Sequence, residues 1–137
     1  MIVADTSVLF EAWERGGRGD PAVRDRVEAL IEEGRLATTA ISVMELLGGP
    51  TTDRARATYL EVLLGQLAHV FPVSAMAARI GASVVRWRAR RALPVPGPAD
   101  GLIIGTCVAA GLPVLTLDRR HFEGTPGLEL APIRLEH

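Results

Sequence analysis

Short apolar runs alternate with amphipathic stretches along the chain, and their different periodicities predict different elements. Residues 1–4 (MIVA) form a short β-prone run, and residues 21–33 place Val23, Val27, Leu30 and Ile31 at helical spacing. Residues 36–40 (LATTA) read as a second strand, followed by a helix that opens at Ser42 and stops at Gly48-Gly49-Pro50. From Asp53 to about Leu67 a helix puts Leu60, Leu63, Leu64 and Leu67 on one face, and HVFPV (69–73) is a third strand. The stretch from Ser74 to about Leu93 is a long helix with Met76, Ile80, Val84 and Trp87 as its apolar stripe. Pro94, Pro96, Gly97 and Pro98 stiffen the connection to a helix running from Pro98 to Gly111. Proline suits a first helical position because its missing N–H would have no partner there. The strand PVLTL (113–117) and a short strand near Leu128–Leu130 complete the pattern. Strands separated by helices predict an α/β fold, a three-layer α/β/α sandwich with a mostly parallel sheet.

Composition narrows what such a sandwich could do. At 137 residues the chain suits one domain, expected over residues 1–134, with no internal repeat or second-domain boundary. Leu135-Glu136-His137 reads as the start of an affinity-tag scar. An apolar fraction of 48% and a mean hydropathy of +0.24 exclude a disordered chain. Fifteen basic residues against sixteen acidic ones leave a net charge of −1, so an anionic partner must be held by a local patch. All the basic residues are arginine, which we read as compositional bias.

The lone Cys107 excludes an internal disulfide and a cysteine-based zinc site, and a reducing cytoplasm fits it best. MIVADTSVLF lacks a basic start and a small-residue cleavage pattern, so no secretory leader is expected. The uncharged run from Gly101 to Leu117 approaches membrane-spanning length, but Gly111 and Pro113 would end a helix inside it.

Parallel sheets bind ligands in the crevice outside the carboxyl ends of their strands, and four acids fall at such places. Asp5 directly follows the first strand, Glu45 lies in the first turn of the helix after the second, and Asp118 directly follows PVLTL. Asp100 sits in the first turn of the helix before that last strand. Each also has a purely structural explanation. Ser42-Val43-Met44-Glu45 spells a capping box, Asp118 could cap a short RRHF turn, and Asp100 complements a helix dipole. In combination they point elsewhere, because four converging acids repel one another and are tolerated mainly when a cation neutralises them. An oxygen-only donor set favours Mg²⁺ or Mn²⁺ over zinc. A hard divalent ion held by carboxylates implies phosphodiester hydrolysis.

The motifs D-T-S-V-L at Asp5, S-V-M-E-L at Glu45, P-A-D-G-L-I-I at Asp100 and V-L-T-L-D-R-R-H-F at Asp118 resemble those of the PIN-domain ribonucleases. The likeness is greatest to the VapC-type toxins of toxin–antitoxin modules, and it spans essentially the whole chain. It implies a PIN-like fold and a Mg²⁺-dependent endoribonuclease, with Mn²⁺ as an alternative ion. Asp5, Glu45, Asp100 and Asp118 would form its metal-binding and catalytic quartet. Asp5 and Asp100 would ligate directly, while Glu45 and Asp118 complete the site or orient the attacking water. Ser7 and Thr116 match the family's supporting hydroxyls and would orient water or carboxylate. The resemblance further implies an RNA substrate, a homodimer and a cognate antitoxin that brings a basic residue into the acidic pocket. Gly101 departs from the pattern, where a helix former is commoner, and would loosen the helix start. The alternative from another class is a catalytically inactive PIN-like module that binds RNA or protein. A haloacid-dehalogenase-like phosphotransferase would need a second acid two residues after Asp5 and a lysine; the chain has Ser7 and no lysine.

Among the remaining residues, Arg79, Arg86 and Arg90 share one stripe of the long helix, with Arg88 and Arg91 close by. They could grip RNA phosphates or simply form a solvated helix end. Trp13 and Trp87 could stack on unpaired bases, although the apolar stripe makes Trp87 a core candidate. Cys107, among Ile103, Ile104 and Val108, reads as a buried inert thiol. His121 is a candidate proton donor that the pattern places at the surface, with Phe122 packed beneath.

Overall fold

The computed structural model describes residues 1–13, 19–49 and 53–134. Pro50, part of the expected helix stop, and residues 135–137 lie outside the described residues. The strands β1 (Ile2–Ala4), β2 (Leu36–Thr39), β3 (His69–Phe71) and β4 (Val114–Leu115) form one parallel sheet in the order β3-β2-β1-β4. Register is set by Ile2 opposite Leu36, Ala4 opposite Leu115 and Thr39 opposite Phe71. Strand residues alternate between two cores, as a two-residue period requires. Ile2, Ala4, Leu36 and Leu115 pack into one apolar cluster, and Val3, Ala37 and Val114 into the other. The α/β/α sandwich expected from the sequence is therefore observed, with an all-parallel sheet.

Among the described residues seven helices cover it: α1 (Thr6–Glu11), α2 (Pro21–Glu32), α3 (Ala40–Gly48), α4 (Arg54–Gly65), α5 (Ala75–Arg90), α6 (Pro98–Ala110) and α7 (Arg119–Phe122). Val8, Val23, Val27, Leu30, Leu60 and Leu63 bring α1, α2 and α4 onto one face. Val84, Ile103, Ile104, Cys107 and Phe122 bring α5, α6 and α7 onto the other. Short polar residues start most of the helices: Asp20, Asp53 and Ser74 each accept a backbone N–H from the first turn of α2, α4 and α5. Gly111, at φ 66°, closes α6 in the left-handed conformation that glycine adopts without strain. Among the described residues no helix is long and apolar enough to cross a membrane.

Several boundaries differ from the sequence expectation. Helix α1 was not anticipated: Asp5, directly after β1, caps it through the Val8 amide. Helix α3 opens two residues before Ser42, because the Thr39 hydroxyl accepts the Ser42 amide at 3.2 Å and makes Thr39 the cap. Met76 stands 64% exposed, outside the α5 stripe, whose buried positions are Ala77, Gly81, Val84 and Arg88. Helix α5 stops at Arg90, short of Leu93, as Ala92 turns the chain at φ 53°. The expected last strand shrinks to a single parallel bridge between Leu130 and Val114, and two residues later Pro132 offers no N–H to extend a ladder.

Small residues let α5 and α6 pack backbone to backbone. A methyl group at Gly105 would overlap the Ala77 carbonyl, and one at Gly81 the Gly101 carbonyl. A methyl at Gly101 itself would meet only the Val85 Cγ2 methyl at 3.7 Å, an ordinary contact, so an alanine fits there. We predict that Gly101→Ala raises unfolding stability by about 0.5–1 kcal/mol, the usual gain from removing a mid-helix glycine. Gly105→Ala should lower it by roughly 1–3 kcal/mol through overpacking. Urea denaturation of the two variants would show opposite signs.

Candidate functional site

The sheet order sends the chain from β1 outward through β2 and β3, then back to the far side of β1 for β4. The reversal opens a crevice at the carboxyl ends of β1 and β4, where open parallel sheets bind their ligands. Asp5 sits at its floor, buried. Its carboxylate accepts from the Ser7 hydroxyl at 2.6 Å, the Val8 amide at 3.2 Å and the Thr116 hydroxyl at 2.5 Å. Both hydroxyls are used twice: the Leu117 amide donates to Ser7 Oγ at 3.1 Å, and the Asp118 amide to Thr116 Oγ1 at 2.9 Å. Ser7 and Thr116 thus orient the Asp5 carboxylate and tie it to the segment after β4. Burial pushes the Asp5 carboxyl above its ordinary value despite these bonds, and repulsion from Asp118 adds to the rise.

Glu45, exposed on α3, accepts from the Thr6 hydroxyl at 2.7 Å, and Thr6 also lies 3.0 Å from Ser42 Oγ. The capping-box reading of Glu45 is thereby corrected, since Thr39 caps α3 and leaves Glu45 past the capping position. Asp118 occupies the N-cap position of α7 but makes no side-chain cap bond. Its two oxygens instead lie 2.9 Å from His121 Nδ1, which overturns its expected capping role and brings His121, half-buried, into the site. Phe122 is fully buried beneath, as expected. Asp100 stands in the first turn of α6 as expected. Burial pushes its carboxyl up to about 6, with further increases from Asp5, Asp118 and Glu45 and an opposing effect of His121.

All four acids therefore share one electrostatic field. Among the described residues, no three His, Cys, Asp or Glu side chains converge closely enough as they stand to ligate one ion. Asp5, Glu45 and Asp118 turn their oxygens to protein partners instead. Beside them a cavity of about 550 Å³ is lined by Thr6, Ser7, Phe10, Leu117 and Asp118. Thr6 and Phe10 also wall a second one of about 290 Å³, reaching Glu45 and Arg56. There the Arg56 guanidinium lies 3.6 Å over the Phe10 ring.

The arginines of α5 divide. Arg79, Arg86, Arg90 and Arg91 are exposed, and Arg86 sits beside Pro98 and Gly101 at the start of α6. Arg88 is buried, so the expectation that it stands with them as a phosphate contact is corrected. Trp87 is half-buried with the Arg91 guanidinium 4.1 Å from its ring, and Trp13 packs at 5.1 Å on Tyr59. Cys107 is buried, and burial pushes its thiol up to about 12, as an inert core thiol requires. Sequence reasoning missed Thr6, whose partner lies 39 positions away and leaves no local trace. The pairing of His121 with Asp118 was legible in principle, since side chains three apart on a helical turn face each other.

A model of the PIN domain family matches residues 2–128. The chain is 33% identical over 122 residues to the protein named Ribonuclease VapC10 of Mycobacterium tuberculosis (strain CDC 1551 / Oshkosh), covering 89% of this chain and 86% of that protein. Among solved structures it is similar to FitAcB from Neisseria gonorrhoeae, with a TM-score of 0.80 and 24% identity over 98% of this chain and 100% of that one. It is also similar to DNA-bound VapBC from Salmonella typhimurium, with a TM-score of 0.76 and 26% identity over 97% and 98% of the two chains. With its strand order, its strand-end acids and these likenesses in agreement, the chain belongs to the PIN domain family.

Proposed function

We propose that this chain is a metal-dependent endoribonuclease, the toxin of a toxin–antitoxin pair, acting in the cytoplasm as a homodimer. The observation that carries the reading is the field at Asp100, whose carboxyl is raised by burial and by three further acids in one strand-end crevice. A protein that merely binds has no use for such repulsion, which weighs against the inactive-module alternative. The donors are hard carboxylate oxygens with no thiolate among them, so they fit Mg²⁺ or Mn²⁺ rather than zinc. Asp5 and Asp100 would hold the ion, with Glu45 and Asp118 completing the site. The relative named as a ribonuclease supports an RNA substrate, and the likeness to the solved VapBC structure supports an antitoxin partner.

Bound there, the cation would supply a polarised phosphoryl oxygen and a hydroxide nucleophile. The chain's own residues do the positioning. Ser7 and Thr116 hold the Asp5 carboxylate in one orientation, and Thr6 holds Glu45 by one oxygen. His121 can keep a proton at Nδ1 against Asp118. Arg79, Arg86 and Arg90, exposed on α5, supply phosphate contacts for a single strand entering the crevice.

The deciding measurement is cleavage of a total RNA pool by purified protein, with new ends sequenced. Cutting should require Mg²⁺ or Mn²⁺ and stop in excess EDTA; cutting undiminished by EDTA would refute the metal site, and no cutting with either ion would leave the binding module. Glu45→Gln should keep or raise the metal-free melting temperature, since an amide oxygen still accepts from Thr6 and one repelling charge is gone. It should also lose roughly 10- to 100-fold in Mg²⁺ affinity and cut correspondingly slowly. Wild-type rates in Glu45→Gln would reduce the quartet to three acids.

In EDTA, stability should depend on pH with a definite sign. The Asp100 carboxyl lies near 6 in the folded chain against an ordinary value of 3.8, so between these values the folded state binds more protons than the unfolded one. Its stabilising share is complete below the lower value and is lost as pH rises through the higher. Asp5, also raised, acts in the same direction. The melting temperature in EDTA should therefore fall from pH 5 to pH 7, and Asp100→Asn should flatten that slope; an equal slope in the variant would contradict the assignment.

A further inference from the structure

We infer that Arg88 is a positioning residue that fixes Asp118 relative to Asp100, a role that rests on the nuclease reading above. Arg88 is 1% exposed, and among the described residues its guanidinium donates only to neutral acceptors. Its Nε donates to the Pro94 carbonyl at 2.7 Å, Nη1 to the Glu123 carbonyl at 2.7 Å and the Thr125 hydroxyl at 3.0 Å, and Nη2 to the Arg120 carbonyl at 2.9 Å. A buried cation facing neutral acceptors is a costly way to fill space, and an apolar side chain of similar volume would often serve stability as well or better. The fork is informative for what it joins. Pro94 belongs to the connection that leads into α6 and Asp100. Arg120 lies in α7 and Glu123 caps its C-terminal end, while its N-cap is Asp118 with His121 against it.

Helix α7 has only four residues, too few to hold a helical turn by its own propensity. Its last carbonyls lack partners within the helix, and a cation at that end both satisfies them and complements the dipole. Phe122 anchors α7 to the core and the Asp118 amide ties its start to Thr116 Oγ1, which leaves the carbonyls further along the turn to be held by other donors. The planar fork holds carbonyls on α7 and at Pro94 together, so one side chain links the segments that carry the third and fourth acids. Lysine cannot reproduce this, since its ammonium is a single point with no fixed plane of donors.

The test uses the full chain and calorimetric Mg²⁺ titration, with amide hydrogen exchange as a metal-free readout. Arg88→Lys should remain folded by circular dichroism, exchange faster over 119–125 and lose about tenfold in Mg²⁺ affinity, the scale typical of residues that orient metal ligands. Val84→Ala, one turn earlier on α5 and outside the fork, is the stability control. It should lower the melting temperature while keeping Mg²⁺ affinity within about twofold, as expected of a core methyl deletion. Should Arg88→Lys fail to fold, Thr125→Val removes one acceptor of the fork at nearly constant volume and should weaken Mg²⁺ binding in the same direction. Unchanged affinity in the folded variant, or affinity that falls with melting temperature alike in all variants, overturns the role of Arg88. Wild-type protein without Mg²⁺ affinity would instead overturn the nuclease reading itself, and the role of Arg88 with it.

Discussion

The carboxylate of Asp5 is largely shut off from solvent, and the Ser7 and Thr116 hydroxyls with the Val8 amide take water's place. A charge buried at a strand end survives only with such replacement donors. Meeting that requirement organises the neighbourhood. Each hydroxyl accepts an amide from the stretch after β4, so the donors that solvate Asp5 also shape the backbone running into Asp118. The same carboxylate starts α1, which carries Thr6 to Glu45 and Phe10 to the wall of both cavities. One desolvated group thus connects three strand or helix ends that are remote in sequence.

The other acids arrive by separate routes. Asp100 comes with the first turn of α6, which the glycine contacts hold close against α5. Glu45 comes from α3, aligned after β2 by the Thr39 cap. The parallel topology brings these ends together because every strand here delivers its chain to the same edge of the sheet. Local rules build each end, and topology alone makes them neighbours.

That division explains what the sequence disclosed. The apolar run at residues 1–4, the helical spacing of Val23, Val27, Leu30 and Ile31, the helix start at Asp53 and the Pro98–Gly111 frame are local signals, and they placed most elements correctly. Ser42 misled because Thr39 and Ser42 are both good caps, and the end of β2, set by pairing with β3, decided between them. Short helices such as α1 carry too few residues to show a period. Arg88 is the hardest case: its neighbours Arg86 and Arg90 have the same chemistry, and only the packing of α7 separates a buried fork from a wet surface. The acids' positions were readable from strand ends and Thr116 from the family resemblance, whereas the hydroxyl partner of Glu45 at Thr6 depended on a contact 39 positions apart.

Cys107, the chain's single cysteine, lies on the buried face of α6, close enough to Asp5 to feel its charge. A thiol held near 12 offers almost no thiolate at neutral pH, and its burial keeps reagents away from what remains. Reaction with a disulfide reagent must therefore wait until α6 leaves the sheet. The chain carries its own reporter of that opening: the labelling rate of Cys107 tracks how readily the helix bearing Asp100 detaches, without an engineered residue.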